Sequence, residues 1–194
     1  MKENRFYTFA RAVVRVLCAI IFPYKVVGLE NVPSEGYVLL CCNHVSMIDP
    51  VFLACALRRR VTYLAKKELF SNKIMNWLLR ALGMVPVDRG ASDIQAMRVC
   101  MDVLKQGGVL GIFPQGHRYK NDENREMQNG AAMMALRARP AVIAAHISAP
   151  LKPFRRNYIR ISAPLDLSDI ARVNAAGLED ATKRIAGAIW QEEN

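Results

Sequence analysis

The 194-residue chain is long enough to bury the core of a single domain, and its hydrophobic fraction of 52% excludes a disordered protein. Its net charge of +10 indicates an anionic partner, such as nucleic acid, anionic lipid or a phosphorylated substrate, unless the charge only solvates the surface. The five cysteines show no CxxC pair or other metal-ligand spacing. They therefore predict reduced core residues of a cytoplasmic protein and exclude a disulfide framework.

The first predicted element is an N-terminal helix in residues 1–25, which we separate from a domain formed by residues 26–194. Its longest uninterrupted apolar run, Val16 to Tyr24, has nine residues, whereas a helix needs about 20 to cross a bilayer. Arginines at positions 5, 11 and 15 alternate with apolar side chains, as is typical of a helix lying in the membrane interface. An ordinary helix packed against the domain is the alternative interpretation.

Apolar runs and helical patterns alternate along the remaining chain. Strands are predicted at 37–42, 61–65, 84–87, 109–113, 141–147 and 158–162. Helices are predicted at 49–57, from Ser71 or Asn72 to Gly83, from the Ser92 capping box to Gly107, at 130–138 and at 178–191. This alternation predicts an α/β fold, a single-domain sandwich with a largely parallel central sheet flanked by helices. In such sheets, functional groups gather in the loops beyond the carboxyl ends of the strands.

The first of these loops carries His44 and Asp49, five positions apart, directly after the predicted strand 37–42. A histidine can take a proton from an attacking alcohol, and a carboxylate on its other ring nitrogen fixes the tautomer. The pair therefore predicts a general base with its orienting partner. The alternative interpretation makes Asp49 the N-cap of its helix and His44 a structural residue at the strand end.

Basic residues follow three further predicted strands. Gly116 and Arg118 come after strand 109–113, in a turn where glycine permits close backbone approach and a guanidinium can grip phosphate. Arg89 follows strand 84–87, and Lys66 and Lys67 follow strand 61–65. Together they predict an anion site, although each charge could equally be solvated or paired on the surface.

Three blocks of sequence resemble the glycerolipid acyltransferase family, in particular its bacterial 1-acylglycerol-3-phosphate acyltransferases. Residues 43–49, NHVSMID, resemble the NHxSxxD block of that family. Residues 84–89, MVPVDR, resemble its second block, and residues 113–118, FPQGHR, resemble its FPEGTR block. The resemblance extends from about residue 26 to residue 164, and three blocks in this order are far more specific than any single one.

The resemblance implies transfer of a fatty acyl group from acyl-CoA or acyl-carrier protein to the free hydroxyl of lysophosphatidic acid, giving phosphatidic acid. It implies His44 as the base and Asp49 as its partner, with no metal or cofactor. The substrate-binding residues that we infer alongside it are Arg118, Gly116, Gln115, Arg89, Ser46, Lys66 and Lys67. The expected partners are the acyl donor, a lysophospholipid and the cytoplasmic face of the cell membrane, where the protein would be peripheral or monotopic.

Several positions depart from the family pattern. Gln115 stands where the family has glutamate, and His117 where it has threonine; Ala144 replaces a proline of the fourth block. These changes leave open another lysolipid acceptor, or a catalytically weakened homologue that only binds lipid. The third histidine, His146, lies in an apolar strand and is interpreted as structural. Nucleic acid is not expected as a partner, because aromatic residues make up only 8% and no basic–aromatic RNA-binding strand is present.

Overall fold

The structure is a computed structural model that describes residues 5–87, 93–119 and 126–191. These residues form one sheet of seven strands with the order β1-β7-β6-β2-β5-β3-β4. The strands are β1 (Tyr24–Val27), β2 (Val38–Cys42), β3 (Val61–Lys66), β4 (Met84–Val87), β5 (Val109–Ile112), β6 (Ala141–Ile147) and β7 (Asn157–Ile161). The α-helices are α1 (Arg5–Ile21), α2 (Asp49–Ala56), α3 (Lys73–Ala81), α4 (Asp93–Lys105), α5 (Gly130–Ala138) and α6 (Ala175–Trp190).

Every pairing in the sheet is parallel except that of β6 with β7. The predicted α/β fold with a largely parallel sheet and an N-terminal helix is therefore confirmed. Strand β1 was not predicted, and α6 begins at Ala175, three residues before the predicted start. The predicted capping box at Ser92 lies outside the described residues, and the division of the chain at residue 25 stays a prediction.

The core occupies both faces of the sheet. Along β2, Leu39 and Cys41 belong to a cluster that includes residues of α4, α5 and α6. The alternate residues of β2 belong to a second cluster, which includes Phe52 and Leu53 of α2. All five side chains of β2 are buried, as expected for a central parallel strand covered on both faces. The carboxyl end of β2 is therefore held rigidly, and the loop after it starts from a fixed point.

The cysteines join no disulfide, and four of them are buried. Burial raises the pKa of the Cys41 thiol to about 12 and that of Cys100 to about 11. A thiol with so high a pKa is a poor nucleophile at neutral pH, because the thiolate is the reactive form. In the part of the chain that the structure describes, no helix combines the length and the apolarity needed to cross a membrane.

Asn43 anchors the end of β2 to the neighbouring strand β6. Its side-chain amide donates to the carbonyl of Ile147 at 2.9 Å and accepts from the N–H of Ile147 at 2.8 Å. Both bonds are buried, and Asn43 is completely excluded from solvent. The side chain thus continues the β2–β6 ladder where the backbone of β2 turns away into the loop.

Replacing Asn43 by alanine removes the hydrogen-bond partners that its side chain gives to the buried N–H and carbonyl of Ile147. We expect Asn43→Ala to lower the free energy of unfolding by about 2–6 kcal/mol, since each of the two orphaned buried groups costs roughly 1–3 kcal/mol. Urea denaturation followed by circular dichroism measures the change. Asn76→Ala is the matched control: Asn76 makes an exposed bond to Arg80, and its loss should cost less than about 0.5 kcal/mol. Equal losses in the two variants would contradict the anchoring role of Asn43.

Candidate active site

Two loops meet at the carboxyl edge of the sheet because β2 and β5 are neighbouring parallel strands. Cys41 of β2 stands opposite Ile112 of β5, so the chain leaves both strands at the same edge. The N–H of His44 donates to Oε1 of Gln115 at 2.8 Å, and the carbonyl of His44 accepts from the N–H of Tyr119 at 2.9 Å. The backbone of His44 is therefore fixed from both sides by the loop after β5.

The His44 ring is held by Asp49 in the same loop. Nδ1 of His44 lies 2.8 Å from Oδ2 of Asp49, whose side chain is 0% exposed, whereas the histidine side chain is 18% exposed. The same oxygen accepts from the N–H groups of Val45 and Ser46, each at 2.7 Å. The carboxylate thus closes the loop and orients the ring, which leaves Nε2 as the ring nitrogen for a substrate proton.

The alternative in which Asp49 only caps its helix is wrong. Helix α2 begins at Asp49 itself, the residue in the cap position is Ile48, and no side chain caps the helix. The bonds of Asp49 run backwards to residues 44–46 instead of forwards into the first turn of α2. Pro50 follows at the start of the helix, as predicted, where its missing N–H costs nothing.

Phe113 supports the His44 ring and was not predicted as a site residue. The two rings stack with centroids 4.1 Å apart and planes inclined by 18°. The ring of Tyr63 in β3 is also stacked with Phe113, with their centroids 5.8 Å apart and planes inclined by 11°. A Cβ on Gly111 would lie 2.2 Å from the Tyr63 ring, so only glycine leaves room for this arrangement. The isolated glycine in an otherwise apolar strand was the available sequence signal.

The turn after β5 depends on glycine at position 116. Gly116 has a φ of +72°, and a Cβ there would lie 2.7 Å from Nε2 of Gln128. The N–H of Gln128 in turn donates to the carbonyl of Pro114 at 2.9 Å, which folds the returning chain over the turn. Gln115 is buried, and its side-chain oxygen accepts the hydrogen bond from the N–H of His44.

The structure brings together His44, Asp49, Ser46, Gln115 and Gly116. The hydroxyl of Ser46 accepts a 3.4 Å bond from Ile48 N–H, within the loop itself. Arg118 follows two residues after Gly116 and is exposed.

The predicted lysines lie farther along the same edge, after β3, which is separated from β2 by β5. Lys66 is exposed, and its Nζ lies 3.5 Å from Oε1 of Glu68. Lys67 is also exposed and lines a cleft of about 730 Å³ together with Arg80 and Phe70. The remaining predicted residue, Arg89, lies outside the described residues. Within residues 5–87, 93–119 and 126–191, no cluster of three or more acidic, histidine or cysteine side chains could hold a metal ion.

The His44–Asp49 bond predicts the tautomer of the neutral imidazole. Because an ionised carboxylate only accepts hydrogen bonds, the proton must lie on Nδ1 of His44. We expect the Nδ1–H tautomer in ¹H–¹⁵N NMR spectra of the neutral ring, and a mixture of tautomers in Asp49→Ala. The exposed His117 is the internal reference for a solvated imidazole. An Nε2–H tautomer for His44 in the unmodified protein would contradict the geometry.

Comparisons with known proteins find relatives of this chain. A curated 1-acyl-sn-glycerol-3-phosphate acyltransferase of Streptococcus pneumoniae is 31% identical over 193 residues, covering 94% of this chain and 71% of that protein. The protein of the same name from Bacillus subtilis is 28% identical, with 86% of each chain covered. The crystal structure of the 1-acyl-sn-glycerophosphate (LPA) acyltransferase PlsC from Thermotoga maritima has the same fold, with a TM-score of 0.69 and 20% identity over 96% of this chain and 82% of that one.

The family described as Acyltransferase matches residues 23–148, which include His44, Asp49 and the turn at Gly116. With this match over more than half of its length, the chain belongs to the acyltransferase family.

Proposed function

We propose that this protein transfers a fatty acyl group from a thioester donor to the free hydroxyl of 1-acylglycerol 3-phosphate, giving phosphatidic acid for phospholipid biosynthesis. The observation that carries the proposal is the 2.8 Å bond between His44 and the buried carboxylate of Asp49. Relatives from Streptococcus pneumoniae and Bacillus subtilis that bear the name of this activity support it.

The chemistry requires a base that is oriented before the substrate arrives. Nε2 of His44 takes the hydroxyl proton as the acceptor oxygen attacks the thioester carbonyl. Asp49 keeps Nδ1 protonated and stabilises the imidazolium that forms. Collapse of the tetrahedral intermediate breaks the C–S bond and expels the donor thiolate, which takes the proton from the His44 imidazolium and leaves as the thiol. General-base catalysis of this kind contributes roughly 10²–10⁴ to the rate.

The acceptor phosphate is assigned to the basic loops at the same edge. Gly116 allows the backbone to approach the glycerol, and Arg118 supplies a guanidinium that can bond two phosphate oxygens at once. Arg89, Lys66 and Lys67 add positive charge around the anion, and Ser46 and Gln115 lie beside the base. The exposure of Arg118 and both lysines supports this assignment, because the headgroup of the acceptor must reach them from outside.

The acyl donor is acyl-CoA or acyl-carrier protein, and both are anionic, which suits a chain of net charge +10. No metal or cofactor takes part in the proposed reaction. A thioester carbonyl is already activated toward attack, so the reaction needs only a base that deprotonates the acceptor hydroxyl.

Membrane association follows from the substrates and from α1. Among its described side chains, Val13, Val16, Leu17 and Ile20 are exposed and fall on one helix face. A helix of this kind lies in the membrane interface, so we place the protein peripherally or monotopically at the cytoplasmic face of the membrane.

A second acceptor class remains within the proposal because Gln115 replaces the family glutamate. A neutral amide beside the base keeps an acceptor oxygen but lacks the negative charge of a carboxylate and adds N–H donors, so it can suit a different acceptor. Product analysis by mass spectrometry, with lysolipids that carry or lack the phosphate, separates the acceptors. Equal rates with both kinds would remove Arg118 as a phosphate ligand, and lipid binding without any transfer would indicate a catalytically weakened homologue.

Removing the base tests the activity most directly. We expect His44→Ala to lower kcat by at least roughly 10²-fold, because the imidazole is the proton acceptor. Acyl transfer from radiolabelled donor measures the rate, and urea denaturation checks that the fold is retained. Full activity in a folded His44→Ala protein would refute the proposed mechanism.

The ring stack predicts a positioning role for Phe113. A stacked aromatic pair is worth about 0.5–1.5 kcal/mol, so Phe113→Leu should lower kcat by up to roughly tenfold as the imidazole gains freedom to rotate. KM should stay the same, because Phe113 has no assigned substrate contact. Phe113→Tyr keeps the ring and should keep the rate. A rise in KM with unchanged kcat in Phe113→Leu would instead make Phe113 a substrate-binding residue.

A further inference from the structure

We propose that α3, with the basic segment before it, is a second docking surface for an anionic lipid bilayer, separate from α1. The inference rests on the proposed function only in that both place the protein at a membrane. Ile74 and Trp77 would enter the bilayer interface, while the neighbouring lysines and Arg80 contact lipid phosphates.

The first observation is that α3 exposes large apolar side chains. Ile74 is 77% exposed and Trp77 is 56% exposed, and the spacing of three places them on one face with the half-buried Leu78. Leu79, by contrast, is buried and packs toward the core through the cluster of Ala65 and Phe70. The helix thus packs on the domain through one side and exposes a second apolar side to water. Exposed apolar patches of this kind mark interaction surfaces.

The second observation is the charge beside this apolar face. Residues 66–80 contain four basic side chains, all exposed, and a single acidic one, Glu68. On the helix, Lys73 and Arg80 lie on the same side, two turns apart, and border the Ile74–Trp77 face. Each basic residue close to an anionic bilayer strengthens binding by a factor of about five. An apolar face bordered by cations fits a bilayer that carries anionic lipid headgroups.

The third observation is the type of apolar residue. Tryptophan is enriched at the boundary between headgroups and acyl chains, because its ring is apolar and its N–H is polar. Trp77 sits in the exposed face, whereas the second tryptophan of the chain, Trp190, is buried in the core. Helices α3 and α1 also contact one another, so the two exposed apolar faces belong to neighbouring elements.

The position of α3 links this surface to the site. The helix follows β3, whose carboxyl end carries Lys66 and Lys67 at the edge where His44 lies. Lys67 and Arg80 also line the cleft of about 730 Å³ beside α3. Docking through α3 would therefore hold the basic edge against the headgroups from which an acyl-chain-bearing acceptor must be taken.

Trp77 can report its own surroundings. In a Trp190→Phe protein, Trp77 is the only tryptophan, and its emission should shift to shorter wavelength on addition of phosphatidylglycerol–phosphatidylcholine vesicles. Lipids brominated on their acyl chains should quench it. Emission that neither shifts nor is quenched, while the protein binds the vesicles, would overturn the proposal.

Vesicle flotation tests the contribution of the surface to affinity. Ile74→Ser combined with Trp77→Ser should weaken binding roughly tenfold or more, since two large apolar side chains no longer leave water. The control is Tyr37→Ser with Val173→Ser, which removes two exposed but less accessible apolar side chains (44% and 42%) outside α1 and α3 and should leave binding unchanged. Lys73→Gln should weaken binding to anionic vesicles only. Circular dichroism verifies that each variant is folded.

The results separate this inference from the proposed function. Flotation needs no substrate, so it gives an answer even if no acyl transfer is found. In detergent micelles, where no bilayer is required, the α3 double variant should transfer acyl groups at the unmodified rate. Unchanged flotation of the α3 variant, or equal losses in variant and control, would overturn the inference. Unchanged flotation with impaired transfer from acyl-carrier protein would assign the surface to an acidic protein instead.

Discussion

A single carboxylate oxygen, Oδ2 of Asp49, holds together the loop on which the proposed chemistry depends. It accepts from the N–H groups of Val45 and Ser46 and bonds the His44 ring, all within 2.8 Å. Burying a carboxylate is costly unless hydrogen bonds replace its water, and three donors on one atom, at the positive end of α2, supply that compensation. The same interaction that stabilises the buried charge therefore fixes the ring, so folding of the loop and orientation of the proposed base are one event.

The order of the strands brings further contacts to His44 from residues outside its own loop. Because β5 lies between β2 and β3, the ring of Phe113 stacks with both His44 and Tyr63, and Gln115 reaches the backbone of His44. This contact uses the acceptor oxygen of Gln115, which an amide and a carboxylate both possess. Glutamine at this buried position keeps the bond to His44 without bringing a second negative charge near the carboxylate of Asp49. The departure from the family pattern thus preserves the support of the base.

The sequence was informative where the signal is local. The bounds of β4, β6 and α5 follow from apolar runs and glycines, and the His44–Asp49 pair follows from spacing within one loop. Strand β1 was missed because it has only four residues, is interrupted by Lys25 directly after the apolar run of α1, and gains strand character only by pairing with β7. The stacking of Phe113 was missed for the same reason: it requires three strands that are adjacent in the sheet but distant in sequence.

The sequence pattern of α1 also could not distinguish a helix packed on the domain from one lying in the membrane interface. An amphipathic pattern shows that one face is apolar, but it does not show whether protein or lipid covers that face. In the structure, the half-buried Val14 and Cys18 mark the side toward the domain, while Val16 and Ile20 point outwards. Helix α3 likewise has a side toward the domain, marked by the buried Leu79, and an exposed apolar side, marked by Ile74. Two neighbouring helices that leave apolar faces in water forgo the stabilisation that burial would give. The proposed contact with a bilayer surface would recover it, and the acyl chains of the proposed substrates are found in that same apolar phase.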